Sequence, residues 1–363
     1  MTLDTDTGAV VARTELPGFL RLSDAGDGRH VMVTDGDVFR VFDTGLSTVQ
    51  HGDHAHHYAS PPAMTPVTYA APHAGHVVVH EGTTTLFADG SGEVTVVESN
   101  QIATAGAPRT TYTTRAPHHG VAVPVGSGAL LTTQGTEKER RTVQVVKADS
   151  VVAETNDCPG VHGEATARPT ATGAVVAVGC TDGPVVWRDG AFQKLRVPGP
   201  DGTPLPYSRV GNMAGSEASP YVLGDLKVDQ TQKVERTTTV VVVGTLDGSV
   251  RPVRLPASYW FRSLGRGPVG EGLVLTYDGA LQVIDMQTAA LTASIPVISP
   301  WQEKDDWQLA GPSLKVLGTT AYVTDVNRKE VVLVDLTTYQ VAKRIPLPDK
   351  PVEIAVADGR SPR

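Results

Sequence analysis

The sequence predicts an all-β protein, a β-propeller of eight blades whose closing blade is shared by the two termini, with seven blades as the alternative. Three observations lead there. The 363 residues include 37 Gly and 26 Pro, too many for a helical protein and suited to short strands joined by tight turns. Apolar, β-branched runs at 29–34, 76–80, 174–178, 239–243 and 331–334 are interleaved with Asp-Gly pairs at Asp35-Gly36, Asp89-Gly90, Asp182-Gly183, Asp189-Gly190, Asp247-Gly248 and Asp278-Gly279. One phrase recurs at 38–45, 280–288 and 331–338: a strand, an aspartate, then a short turn into the next strand.

The recurring phrase implies a repeat of about forty to fifty residues, the size of a four-stranded blade. A single blade cannot bury both of its faces, so blades stack face to face. Seven full blades are expected, starting near Gly18, Pro66, Pro117, His162, Ser208, Arg262 and Gln308. At the N-terminus, 3–8 and 9–13 resemble the second half of a blade, and 351–358 resembles an innermost strand. Joined, they would form the eighth blade. The whole chain, 1–363, is expected to be one propeller domain, with a His-rich mobile loop at 51–62.

Charge and composition narrow the function classes. Hydrophobic residues make up 40% of the chain, enough for a large core. The net charge of −8 speaks against nucleic acid, which wants a basic face, and is compatible with cations. No apolar run reaches the length of a membrane span. The N-terminal 1–8 has neither the basic segment nor the apolar stretch of a secretory signal. Cys158 and Cys180 read as one disulfide or as two buried thiols. A disulfide would require an oxidising compartment, which places the natural start of the chain upstream of Met1.

Histidine is the most unevenly distributed residue. All eleven lie at or before His162. Imidazole is the commonest protein metal ligand and suits Zn, Cu, Ni and Fe. The pentapeptides 71–75 and 116–120 are nearly the same, and His73 to His118 is 45 residues while His119 to His162 is 43. Equivalent positions in neighbouring blades lie side by side. His73, His118 or His119, and His162 are therefore expected to converge near the first strands, with Glu164 completing a tetrahedral site. A second cluster, His51, Asp53, His54, His56 and His57, lacks strand periodicity, precedes Pro61-Pro62, and reads as a flexible cation-capturing loop. His76 and His80, two pleats apart on one strand face, are assigned structural roles, as is His30. There is no Gly-x-Ser-x-Gly elbow and no phosphate loop, so no catalytic residue is assigned. A His-bound metal with an open position could still activate water. A metal-dependent hydrolase or lactonase is thus one alternative, and a protein-interaction propeller another.

Several segments together resemble the AztD family of extracytoplasmic zinc metallochaperones. They are 51–57, 79–92, 116–123, 158–164 and 179–183. The resemblance runs from about Gly18 to Asp358 and is most specific in the first half. It implies an extracytoplasmic β-propeller, periplasmic or at the cell surface, that binds Zn²⁺ and passes it to the solute-binding protein of a zinc ABC importer; the chain is expected to be a monomer. It implies a zinc site on His118, His119 and His162 with His73 nearby, and a mobile loop carrying His51, Asp53, His54, His56 and His57. It also implies a Cys158–Cys180 disulfide.

Overall fold

A computed structural model describes residues 1–361. Among the described residues there is no α-helix, only two 3₁₀ turns, at Ser99–Gln101 and Phe261–Ser263. No helix is long and apolar enough to cross a membrane. The chain is all-β, and seven of its sheets have four antiparallel strands, in consecutive order in six of them and with a two-stranded insertion before the fourth strand in the other. These are the blades of a propeller. Blade 1 holds Arg21–Asp24, His30–Asp35, Val38–Asp43 and Ala63–Ala70. Blade 2 runs from Ala74–His80 to Arg109–Thr113, and blade 3 from Ala122–Pro124 to Ser150–Thr155. Blades 4 to 7 begin with Glu164–Thr170, Met213–Ala214, Leu264–Arg266 and Leu314–Leu317.

The expected eighth blade does not form. Thr2–Leu3 pairs only with Val10–Ala12, as a separate two-stranded sheet, and 351–358 carries no strand. Blade 1 is already complete without the termini, because Ala63–Ala70 returns to its outer edge. That strand was expected to open blade 2; it closes blade 1 instead. The C-terminal segment is used differently. Gly359 donates to Gly28 O at 2.8 Å and accepts from Thr48 N at 2.8 Å.

By internal contacts the chain falls into two compact units. One comprises 1–138, 147–150 and 355 onward; the other comprises 139–146 and 151–354. In the first, the core lies between blades 1 and 2. Met32, Phe39, Val41 and Tyr69 pack against Leu86, Ala88, Val97 and Ile102. In the second, the same pattern repeats. Val175, Ala177 and Val186 of blade 4 meet Val222, Val241 and Val243 of blade 5. Further on, Leu273, Leu281 and Val283 of blade 6 meet Val323, Val332 and Val334 of blade 7. The strand Thr239–Gly244 of blade 5 is apolar on both faces because Val241 and Val243 meet blade 4 while Val240 and Val242 meet Val274 and Ile284 of blade 6.

The recurring strand-Asp-turn phrase has a direct cause. Asp43 accepts from Gly45 N at 2.7 Å, Asp285 from Gln287 N at 2.8 Å and Asp335 from Thr337 N at 2.7 Å. The aspartate side chain substitutes for a backbone acceptor two residues on and ends the strand in a turn.

Candidate metal centres

The segment expected to be an irregular loop is a β-hairpin. Leu46–His51 pairs with His54–Ala59 around the turn Gly52-Asp53, where Gly52 has φ +60°. It is inserted between the third and fourth strands of blade 1. His51 faces His54, Val49 faces His56 and Thr48 faces His57 across the ladder. Because side chains alternate, His51, His54 and His56 fall on one face with Val49 and Tyr58. His57 falls on the other, where its Nδ1 is 3.0 Å from Thr48 Oγ1. The three ring centroids are 4.9 to 5.7 Å apart, and His54 Nε2 is 3.2 Å from His56 Nε2. Each ring offers a nitrogen within 4.8 Å of the others, the one such group among the described residues. Asp53 approaches from the turn, with Oδ1 3.1 Å from His54 Nδ1. All four side chains are exposed. Three imidazoles with a vacant fourth direction suit a tetrahedral cation held at the surface.

The hairpin stands on a rigid base. Arg29 clamps Asp43 through two bonds of 2.8 and 2.7 Å, which holds the Asp43 carboxyl below its usual range. Ser60 N donates to Gly45 O at 2.9 Å, closing the two legs together.

A second imidazole pair lies in the same unit. The rings of His76 and His119 are 4.7 Å apart. His76 Nδ1 donates to Gly120 O at 2.8 Å, and His119 Nδ1 to Asp89 Oδ2 at 2.6 Å. These bonds make Nδ1 the donor on each ring and orient both imidazoles, as second partners do at protein metal sites. The protein packed around the His76 ring, with His119 beside it, pushes its pKa down to about 4, so it stays neutral and ligand-ready. Asp89 Oδ1 is buried with no hydrogen-bond partner. Its approach requires Gly75, where a Cβ would lie 2.2 Å from that oxygen. His76 was expected to be structural and is instead His119's neighbour.

The remaining predicted residues are placed individually. His118 is buried; its Nδ1 donates to Ala116 O at 2.9 Å and its Nε2 lies 2.9 Å from Thr133 Oγ1. Both of its nitrogens are engaged, and Thr133 in turn accepts from Val121 N, so His118 braces the turn that carries His119 and Gly120. Of the two adjacent histidines, His119 is the one with ligand geometry. His73 is exposed, has φ +48° and anchors its backbone N–H on Asp37 Oδ1 at 2.7 Å. His80 donates to Pro124 O at 2.7 Å, and His30 Nδ1 meets Asp27 Oδ2 at 2.5 Å.

In the second unit, His162 Nδ1 donates to Gly211 O at 2.8 Å, the same preparation seen at His76 and His119. Cys158 and Cys180 form a disulfide, with both cysteines buried. His162 N donates to Gly179 O at 3.0 Å, next to the bridge. Burial raises the Glu164 carboxyl to about 7. The unfolded chain ionises this group near 4.5 while the folded chain keeps it protonated to about 7. Metal-free protein should therefore be most stable below pH 4.5 with respect to this group and lose on the order of 3 kcal/mol as pH rises to 7. Glu164→Gln should flatten that difference in chelator-treated urea unfolding at pH 5 and pH 8; equal pH slopes for the two proteins would contradict it.

Fold and side chains together define a class: a seven-bladed β-propeller bearing imidazole clusters with metal-ligand geometry. No family model matches the chain. A curated relative, the zinc chaperone AztD of Citrobacter koseri, is 24% identical over 98% of this chain and 83% of its own length. A crystal structure of Citrobacter koseri AztD superposes with a TM-score of 0.77, at 22% identity over 94% of this chain and 90% of that one. A structure of apo AztD from the same organism gives 0.78 at 21% identity over 97% and 92%. The resemblance to AztD read in the sequence thus extends along nearly the whole chain, and the relative carries the name of a chaperone rather than of an enzyme.

Proposed function

We propose that this protein is a zinc chaperone that binds Zn²⁺ through its imidazoles and hands it to the solute-binding protein of a zinc ABC importer in an extracytoplasmic compartment. The observation that carries the reading is the His76–His119 pair. The two rings lie 4.7 Å apart, and each is oriented by a bond from Nδ1 to a fixed oxygen. Pre-oriented imidazoles bind zinc without an orientation cost, and the Asp89 carboxylate holds the His119 ring in place. In the second unit, taken by itself, His162 is proposed as a zinc ligand, with Glu164 as a carboxylate donor beside it in sequence.

The hairpin has the complementary role. Exposed ligands on a two-stranded ribbon bind an ion loosely and exchange ligands one at a time with an acceptor. The ribbon is proposed to be mobile about its base at Asp43–Gly45. Replacing His51, His54, His56 and His57 together by alanine should leave tight zinc binding unchanged and slow zinc transfer to an apo acceptor several-fold. Stopped-flow fluorescence of the acceptor reads the rate. Equal rates for the parent and the hairpin variant would remove the transfer role from this segment.

A further inference from the structure

We propose that Asp225 is a positioning residue for His162, acting through a single peptide group; this rests on the reading of His162 as a zinc ligand. Asp225 ends the second strand of blade 5, Tyr221–Asp225, and is 2% exposed. Its Oδ1 accepts from Gly211 N at 2.6 Å and from Asn212 N at 3.0 Å, and its Oδ2 accepts from Asn212 Nδ2 at 2.7 Å. The Asn212 N–H and the Gly211 C=O belong to one peptide. That same carbonyl accepts from His162 Nδ1 at 2.8 Å. A buried carboxylate, a peptide and an imidazole are therefore joined in line.

The line has two consequences. The peptide cannot rotate without breaking Asp225's bonds, so the direction of the His162 ring is set from blade 5. The carboxylate also polarises the peptide, making its oxygen a stronger acceptor and the distal Nε2 a better donor to a cation. His119 receives a carboxylate directly from Asp89; His162 receives one through a peptide. The packing supports a purpose beyond strand capping. Gly163 has φ +71°, and a Cβ there would sit 2.1 Å from Gly211 O. At Gly179 a Cβ would sit 2.1 Å from Val210 O and 2.4 Å from His162 O. The chain has kept both positions bare where these backbones meet. Asp325 ends the second strand of blade 7 and is equally buried, yet its Oδ1 caps the turn that follows it, at Asn327 N and Arg328 N, and only its Oδ2 reaches back, to Ser299 N at 3.3 Å. Asp225 instead reaches back 13 and 14 residues to the turn that leads into its own blade.

The test uses the full chain with the four hairpin histidines replaced by alanine, so that only the tight site responds, and Zn²⁺ and Co²⁺ as probes. His162→Ala tests the underlying reading. Asp225→Asn should lower zinc affinity by about 10- to 100-fold, the range for outer partners of metal ligands, and shift the Co²⁺ d–d bands. Asp325→Asn, the structural control, should do neither. The exchange Asp225→Asn with Asn212→Asp restores the side-chain bond with its polarity reversed and should recover most of the affinity. If Asp225→Asn does not fold, Asn212→Ala is read in its place, and affinity should fall. Zinc affinity and Co²⁺ bands like the parent's in Asp225→Asn, with loss in His162→Ala, would overturn the inference and leave the reading standing. Unchanged binding in His162→Ala would overturn both.

Discussion

Replacing His76 and His119 together by alanine is expected to lower zinc affinity at the tight site by at least about 100-fold, more than the loss of an outer partner alone. The expectation follows from how the two rings are held. Their centroids are 4.7 Å apart, and each Nδ1 is committed to a fixed oxygen, so the two rings are held side by side in set orientations. Alanine removes both donors at once. The strands should persist, because the His76 backbone is part of the Ala74–His80 strand and its neighbours Val77 and Val78 stay paired with Leu86 and Thr85. His119→Ala does leave the Asp89 carboxylate without its partner, so some stability is lost with the metal site. Competition titration against a chelating dye gives the affinity, and circular dichroism the fold. A folded double variant with parental affinity would place zinc elsewhere.

The second large effect concerns the bridge. Cys158→Ala with Cys180→Ala should destabilise the protein by about 3 kcal/mol, the loop-closure value for a separation of this length. The bond spans 22 residues and is buried on both sides. It also fixes the backbone on which His162 is mounted, since His162 N bonds Gly179 O beside Cys180. Calorimetry should therefore find a melting temperature several degrees lower, together with weaker zinc binding. A melting temperature within one degree of the parent's would contradict the stabilising role.

Much of this was legible in the sequence. The Asp turns were visible because an aspartate that ends a strand bonds the backbone two residues on, and that requires a fixed spacing. Seven of the expected blade starts correspond to seven blades, though the second was placed early, at Pro66, inside the outer strand of blade 1. The eighth blade was inferred from terminal segments that look like strands, and neither found an open blade edge to join. The hairpin was missed for a physical reason. Strand periodicity is seen through one buried face, and in Leu46–Ala59 nearly every side chain past Thr48 is exposed, so no apolar alternation marks it. Its turn signal, Gly52-Asp53, was present.

A local similarity among the histidines did not extend to their surroundings. The pentapeptides around His73 and His118 match, but His73 sits in a left-handed turn and His118 is buried against Thr133. The interval that brings two rings together is a different one: His76 to His119 is 43 residues. It was obscured by pairing His76 with His80 along one strand. Tautomers, by contrast, could not be read from sequence, because they depend on Gly120 O, Asp89 and Gly211 O approaching from other turns.

X-ray absorption at the zinc edge tests the central claim most directly. The sample is the full chain with His51, His54, His56 and His57 replaced by alanine, loaded with one equivalent of Zn²⁺. The account predicts a nitrogen and oxygen shell at about 2.0 Å with the multiple scattering of at least two imidazoles, and its loss in the His76, His119 double variant. A shell without imidazole scattering, or one unchanged in that variant, would contradict it.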